Sequence, residues 1–151
     1  MEKHLNGVKI MIADDDEDDC LFFMDALGEL NVSASTACVS NGAELMDVLS
    51  RVSFESLPDI LFLDLNMPLK NGLECLVEIR NNKTFDKLPI IIFSTSSQKE
   101  AVEAAYEHGA TFYLKKPDSF HKLKDALNNI FKSTLHKLSF RASRQDFFID
   151  I

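Results

Sequence analysis

A chain of 151 residues with 46% apolar residues, 12 phenylalanines and 26% charged residues has the composition of one folded domain, and excludes a disordered polymer. Its net charge of -8 argues against a nucleic-acid or anionic-membrane surface, because phosphate groups are normally met by a basic patch, and points instead to a protein partner. No apolar run approaches the roughly 18 residues of a membrane span, and Met1–Gly7 lacks the cationic-then-apolar order of a leader, so a cytoplasmic location is expected.

Val8–Ala13 (VKIMIA) is a short apolar run that stops at six consecutive acids, Asp14–Asp19, as a buried strand ending at a polar rim would. Leu21, Phe22, Met24 and Leu27 then fall near helical spacing, with Gly28 as a stop signal. Ser33–Val39 alternates weakly and predicts a second strand. Asn41–Val52 carries Leu45, Met46, Val48, Leu49 and Val52 on one helical face. Asp59–Leu65 (DILFLDL) is the most continuously apolar strand candidate, and Asp64 is the one charge inside it. A turn-rich segment, Asn66–Gly72, leads into a helix in which Leu73, Leu76 and Ile79 recur at steps of three, beside Val77. Pro89–Phe93 is a fourth strand. Gln98–His108 is an alanine-rich helix closed by Gly109, and Thr111–Leu114 is a fifth strand. Asp118 is the predicted cap of a last helix bearing Phe120, Leu123, Leu127, Ile130 and Phe131.

Alternating strands and helices with short connections predict a five-stranded parallel sheet covered on both faces, with functional loops at the carboxyl ends of the strands. Those ends carry Asp14 and Asp15, Asp64, Ser94, and Lys115 with Lys116. Carboxylates brought together repel one another, so their convergence makes chemical sense around a cation. An all-oxygen set without His or Cys suits hard Mg²⁺. Asp16–Asp19 are read as a solvated face that favours a helix N-terminus. A carboxylate can attack phosphorus to form an acyl phosphate, and a cation, the Lys116 ammonium and the Ser94 hydroxyl would stabilise the transferred oxygens. Cys20, Cys38 and Cys75 are odd in number and far apart, and are expected to be buried thiols. His4, His108, His121 and His136 show no zinc spacing and are expected to be ordinary surface or packing residues.

Taken together, ADD at Ala13–Asp15, DLNMP at Asp64–Pro68, FSTS at Phe93–Ser96 and KKP at Lys115–Pro117 resemble the receiver domain of bacterial two-component response regulators, over residues 7–135. The resemblance implies a flavodoxin-like, doubly wound (βα)5 fold with strand order 2-1-3-4-5. It also implies roles: Asp64 as phosphoacceptor, and Asp14, Asp15, Asp64 and the backbone carbonyl of Asn66 as ligands of Mg²⁺ or Mn²⁺. Ser94 would meet the phosphoryl group and Lys116 would pair with it, held by a cis Lys116–Pro117 bond. Ser94 and Tyr113 would form the switch, Tyr113 turning inward as the hydroxyl moves, while Asn66 and Ser96 would control access of water. Ser94 stands where threonine is more frequent in the family. The implied function is a cytoplasmic, phosphorylation-dependent switch, charged by a histidine kinase or a histidine phosphotransfer protein and signalling through a downstream protein. The STS signature and the long connection Asn81–Pro89 look most like the small regulators that serve bacterial phytochrome kinases.

Residues 136–151 fall outside this pattern and are too few for a helix-turn-helix output module, so a stand-alone regulator is expected. Phe140, Phe147, Phe148, Ile149 and Ile151 make this end unusually apolar, and a homodimer contact is expected there, with packing on its own domain and disorder as alternatives. Two other functions compete: a pseudo-receiver that works without phosphorylation, although no acid or lysine of the pattern is lost, and a Mg-dependent phosphatase with an aspartate nucleophile. The latter needs a second aspartate where Asn66 stands.

Overall fold

The computed structural model describes residues 6–134 and 142–150, apart from the side chains of Asn6 and Phe54; His4, His136, Phe140 and Ile151 lie outside the described residues. The strands are β1 (Asn6–Ala13), β2 (Ser33–Val39), β3 (Ile60–Leu63), β4 (Ile90–Ser94), β5 (Phe112–Lys115) and β6 (Phe148–Ile149). The helices are α1 (Glu17–Gly28), α2 (Gly42–Arg51), α3 (Gly72–Arg80), α4 (Lys99–Glu107), α5 (Phe120–Thr134) and α6 (Arg144–Phe147). All strand pairings are parallel, in the order β2-β1-β3-β4-β5-β6. The flavodoxin-like order of the first five strands is as expected, but the sheet has six strands and not five. The sixth is built from Phe148 and Ile149 at the end of the chain, paired with Tyr113 and Leu114. Residues 142–150 therefore pack on their own domain, the alternative to a dimer contact that the apolar sequence of this segment also allowed. Ala142 and Phe147 are buried in the two cores.

The central strands β3 and β4 are buried at every position, because helices cover both faces of a parallel sheet and leave no polar side for alternation to mark. One core lies under α1 and α5. Here Phe62 meets Phe23 at a ring-centroid distance of 4.7 Å and both Phe93 and Phe131 at 6.3 Å, all edge-on. Such pairs add about 1 kcal/mol each beyond the area they bury. The other core joins Leu45, Leu61, Leu63, Leu76, Ile79 and Ile92 beneath α2 and α3.

Local chemistry explains where the helices start and stop. The side chain of Asp16 accepts from the backbone N–H of Asp18 and Asp19, so α1 begins inside the acid run and not after it. Its buried face runs through Cys20, Phe23, Ala26 and Leu27, leaving Leu21 exposed. Asn71 and Glu74 form a reciprocal capping box at α3. Helix α5 is capped by Ser119, whose Oγ accepts from Lys122 N–H at 3.1 Å, and not by Asp118, which pairs with the Lys122 ammonium at 3.6 Å. Cys20 and Cys75 are buried as expected, but Cys38 is exposed, since β2 is an edge strand with one open face. No described peptide bond is cis, so the expected cis Lys116–Pro117 bond is trans, the isomer an X–Pro bond prefers by about 0.5–1 kcal/mol.

Candidate functional site

The backbone ladder runs one residue past the strands and thereby sets the site. Asp14 N–H donates to Val39 O at 3.0 Å, Asp64 N–H to Ala13 O at 2.9 Å and Lys116 N–H to Ser94 O at 2.8 Å. Because Ala13 is paired with Leu63, and Ser94 with Lys115, the residues that follow these partners come out at one edge. Asp14, Asp64 and Lys116 are consequently brought together by strand register, with Ser94 on the neighbouring strand. Asp14, Asp15 and Asp64 each offer an oxygen within 4.8 Å of the others.

The electrostatics of this edge are unusual for a surface. Asp14 and Asp64 are buried, and the Lys116 side chain is only 10% exposed. Its Nζ lies 2.7 Å from Asp14 Oδ2, 2.7 Å from Asp19 Oδ2 and 3.7 Å from Asp64 Oδ2, and 5.4 Å above the Phe93 ring. Burial works to lower the Lys116 ammonium, but the carboxylates of Asp14, Asp19 and Asp64 outweigh it and hold the group above the usual lysine range. The Asp64 carboxyl is pushed up from 3.8 to about 6 by burial; the Lys116 charge opposes this and the Asp14 charge adds to it. Asn66 N–H, donating to Asp64 Oδ1 at 3.3 Å, also favours the charged form.

Asp14 is used on one side only. Its Oδ1 accepts from Asp16 N–H at 3.0 Å, whereas Oδ2 is the one buried side-chain oxygen among the described residues without a hydrogen bond. The 2.7 Å approach of Lys116 to that atom is a charge contact outside hydrogen-bonding angles. Three carboxylates with oxygens within 4.8 Å of one another, one of them buried with an oxygen that Lys116 meets by charge alone, are a donor set that fits a hard divalent cation.

The remaining residues of the sequence pattern lie around this edge. Asn66 and Asp15 are exposed, while Ser94 is buried and its Oγ accepts from Ser96 N–H at 3.2 Å. Tyr113 is fully buried, and its hydroxyl donates to Ser96 O at 2.8 Å. Burial raises its phenol above the ordinary value, against the lowering effect of its contacts with Ser94 and Ser96. Three further features of this edge and its loops lie outside the sequence pattern. Asp19, assigned there to a solvated face, is a partner of Lys116; its place at the third position of α1, above the strand ends, was the available signal. Leu69, 82% exposed at φ 69°, sits in the loop after Asp64 in a backbone conformation uncommon for leucine, and nothing in its residue type announces it. Gly72 lets α3 start directly against the Asp64 backbone.

The doubly wound sheet with acids and a lysine at one edge defines a receiver domain: residues 10–128 match the response regulator receiver domain family, and the chain belongs to it. Receiver domains are signalling parts of two-component systems and bind a divalent metal, which the Asp14, Asp15 and Asp64 cluster fits. Among relatives, the chain is 28% identical over 110 residues to the response regulator Rcp1 of Synechocystis, covering 71% of this chain and 75% of that protein. It is 33% identical over 129 residues to the sensory transduction protein LytT of Oceanobacillus iheyensis, covering 83% of this chain and about half, 49%, of LytT. The structure is similar to that of the phosphorylated cyanobacterial phytochrome response regulator RcpA, with TM-score 0.79, 28% identity, and coverage of 87% of this chain and 98% of RcpA. It also resembles the Mn²⁺-bound form of Rcp1, with TM-score 0.75, 25% identity, and coverage of 89% and 99%. Among the described residues no helix is long and apolar enough to cross a membrane.

Proposed function

We propose that this protein is a phosphorylation-controlled switch in which Asp64 accepts a phosphoryl group from a histidine kinase or histidine phosphotransfer protein and the change is passed to a protein partner. The observation that carries this reading is a buried carboxylate at the end of a central strand, 3.7 Å from a buried lysine and clustered with two further acids. An Asp64 oxygen forms the new P–O bond as the P–N bond to the donor imidazole breaks, and the imidazole takes up a proton as it leaves. Lys116 is placed to move from the carboxylates of Asp14 and Asp19 onto the phosphoryl oxygens. Ser94 supplies a hydroxyl donor, and Asn66 and Ser96 flank the approach of water. Asp14, Asp15, Asp64 and the Asn66 carbonyl would hold Mg²⁺ or Mn²⁺, which when bound neutralises charge on the phosphoryl oxygens. The likeness to RcpA and Rcp1 supports a phytochrome-type kinase as donor and a cytoplasmic setting.

The test is incubation with Mg²⁺ and a small acyl phosphate, followed by intact-mass measurement. Wild type should gain one phosphoryl group and Asp64→Asn none; equal labelling, or none in wild type, would sink the reading. The metal assignment is checked by calorimetric titration with Mg²⁺. Asp14→Asn and Asp15→Asn should each weaken binding about tenfold or more, while Asp19→Asn, which pairs with Lys116 instead, should change it less than about threefold.

A further inference from the structure

The apolar end of the chain has no part in the phosphoryl chemistry, yet it is seated against Tyr113, whose hydroxyl donates to Ser96 O. The Tyr113 ring lies 5.6 Å from Phe148 and 6.4 Å from Phe147, so the space through which it could swing out of the domain is filled. Phe147 in turn stands edge-on to Tyr106 of α4 at 5.1 Å. The segment is held there by several independent contacts. Phe148 and Ile149 pair with Tyr113 and Leu114, the Arg144 guanidinium sits 4.4 Å above the Tyr106 ring and 3.8 Å from Glu103, and Asp150 lies 3.9 Å from Lys115. Ser143 caps the short helix α6 by accepting from Asp146 N–H. From Tyr113 the contacts continue inward: its hydroxyl donates to Ser96 O, and Ser96 N–H donates to Ser94 Oγ.

We infer that residues 144–150 are an intramolecular clamp, with Phe147 and Phe148 as positioning residues that hold Tyr113 inward and through it fix the Ser94 hydroxyl for phosphoryl transfer to Asp64. This rests on the phosphoacceptor reading of Asp64. The clamp acts through packing, because a two-residue strand contributes few backbone bonds while two phenylalanines close the exit of the tyrosine.

The clamp is tested in the full-length chain labelled with 3-fluorotyrosine, which reports only Tyr106 and Tyr113. In Phe147→Ala/Phe148→Ala the ¹⁹F resonance of Tyr113 should move toward that of free fluorotyrosine. Phosphorylation by the acyl phosphate should slow about tenfold, the effect of loosening one positioning hydrogen bond, with calorimetric Mg²⁺ affinity unchanged. Phe147→Leu/Phe148→Leu, which keeps apolar bulk, should restore most of the rate. Tyr113→Phe, which keeps the packed ring and removes the hydroxyl, should slow phosphorylation to the same extent and guards against a misfolded double variant. An unmoved resonance, or a wild-type rate in Tyr113→Phe or in the double alanine variant, would overturn the clamp. The resonance needs no phosphoryl transfer, so a wild type that accepts no phosphate overturns the reading of Asp64 while the resonance still decides whether Tyr113 is held.

Discussion

Asp64→Asn is expected to make the metal-free protein more stable at neutral pH while abolishing phosphoryl acceptance. The folded Asp64 carboxyl is pushed from 3.8 up to about 6, chiefly by burial, so the folded state binds this proton more tightly than the unfolded chain does. Between those two values the folded state carries more protons, and stability falls as pH rises through the window. Above about pH 6 the full cost is present, about 3 kcal/mol at roughly 1.4 kcal/mol per pH unit of displacement. Asparagine carries no charge, so the variant should exceed wild type by about 2–3 kcal/mol at pH 7.5 in urea unfolding, with the gap closing toward pH 4. Carboxylates remote from Asp64 titrate alike in both proteins and cancel in the difference. Excess Mg²⁺ should stabilise wild type more than the variant and narrow the gap at pH 7.5, because a ligand stabilises only the state that binds it. A variant less stable than wild type at pH 7.5 would show that the Lys116 attraction, and not burial, dominates at Asp64.

Gly72→Ala is expected to damage the site strongly although the change is conservative. A Cβ on Gly72 would stand 2.1 Å from Asp64 O, 2.8 Å from Leu65 Cα and 2.9 Å from Asp64 C, all backbone atoms that no rotamer change can move. Either α3 shifts or the end of β3 does, at about 3 kcal/mol, which for a chain of this length lowers the melting temperature by roughly 10 °C. Mg²⁺ affinity should fall with it, since Asp64 is displaced from Asp14 and Asp15. Gly28→Ala is the contrasting case: it closes α1, meets nothing within 4 Å, and should be neutral or stabilise by about 0.5–1 kcal/mol. Thermal unfolding followed by circular dichroism separates the two; equal melting temperatures would mean that the β3–α3 junction yields more easily than its backbone contacts imply.

The edge that carries the acids and the lysine was legible in the sequence because a parallel sheet places every strand's carboxyl end on the same side. Locating the ends of four apolar runs was then enough to bring Asp14, Asp64, Ser94 and Lys116 together, and the helices followed from their periodicity and caps. Even the errors there were local: Ser119 and not Asp118 caps α5, since either can serve and only geometry chooses.

What the sequence by itself determined, then, is the order of elements and the residues delivered to the edge, both encoded in short-range pattern. The tertiary structure alone decided how those residues pair. Lys116 and Asp19 are 97 positions apart, and their 2.7 Å contact depends on how α1 leans over β5's end, which no spacing rule contains. The 2.7 Å charge contact of Lys116 with Asp14 Oδ2 follows from the same packing. Strand β6, too short for any periodicity, is placed by Phe147 and Phe148 meeting the Tyr113 and Tyr106 rings at the edge of β5, a match of apolar surfaces that makes residues 142–150 part of the domain itself.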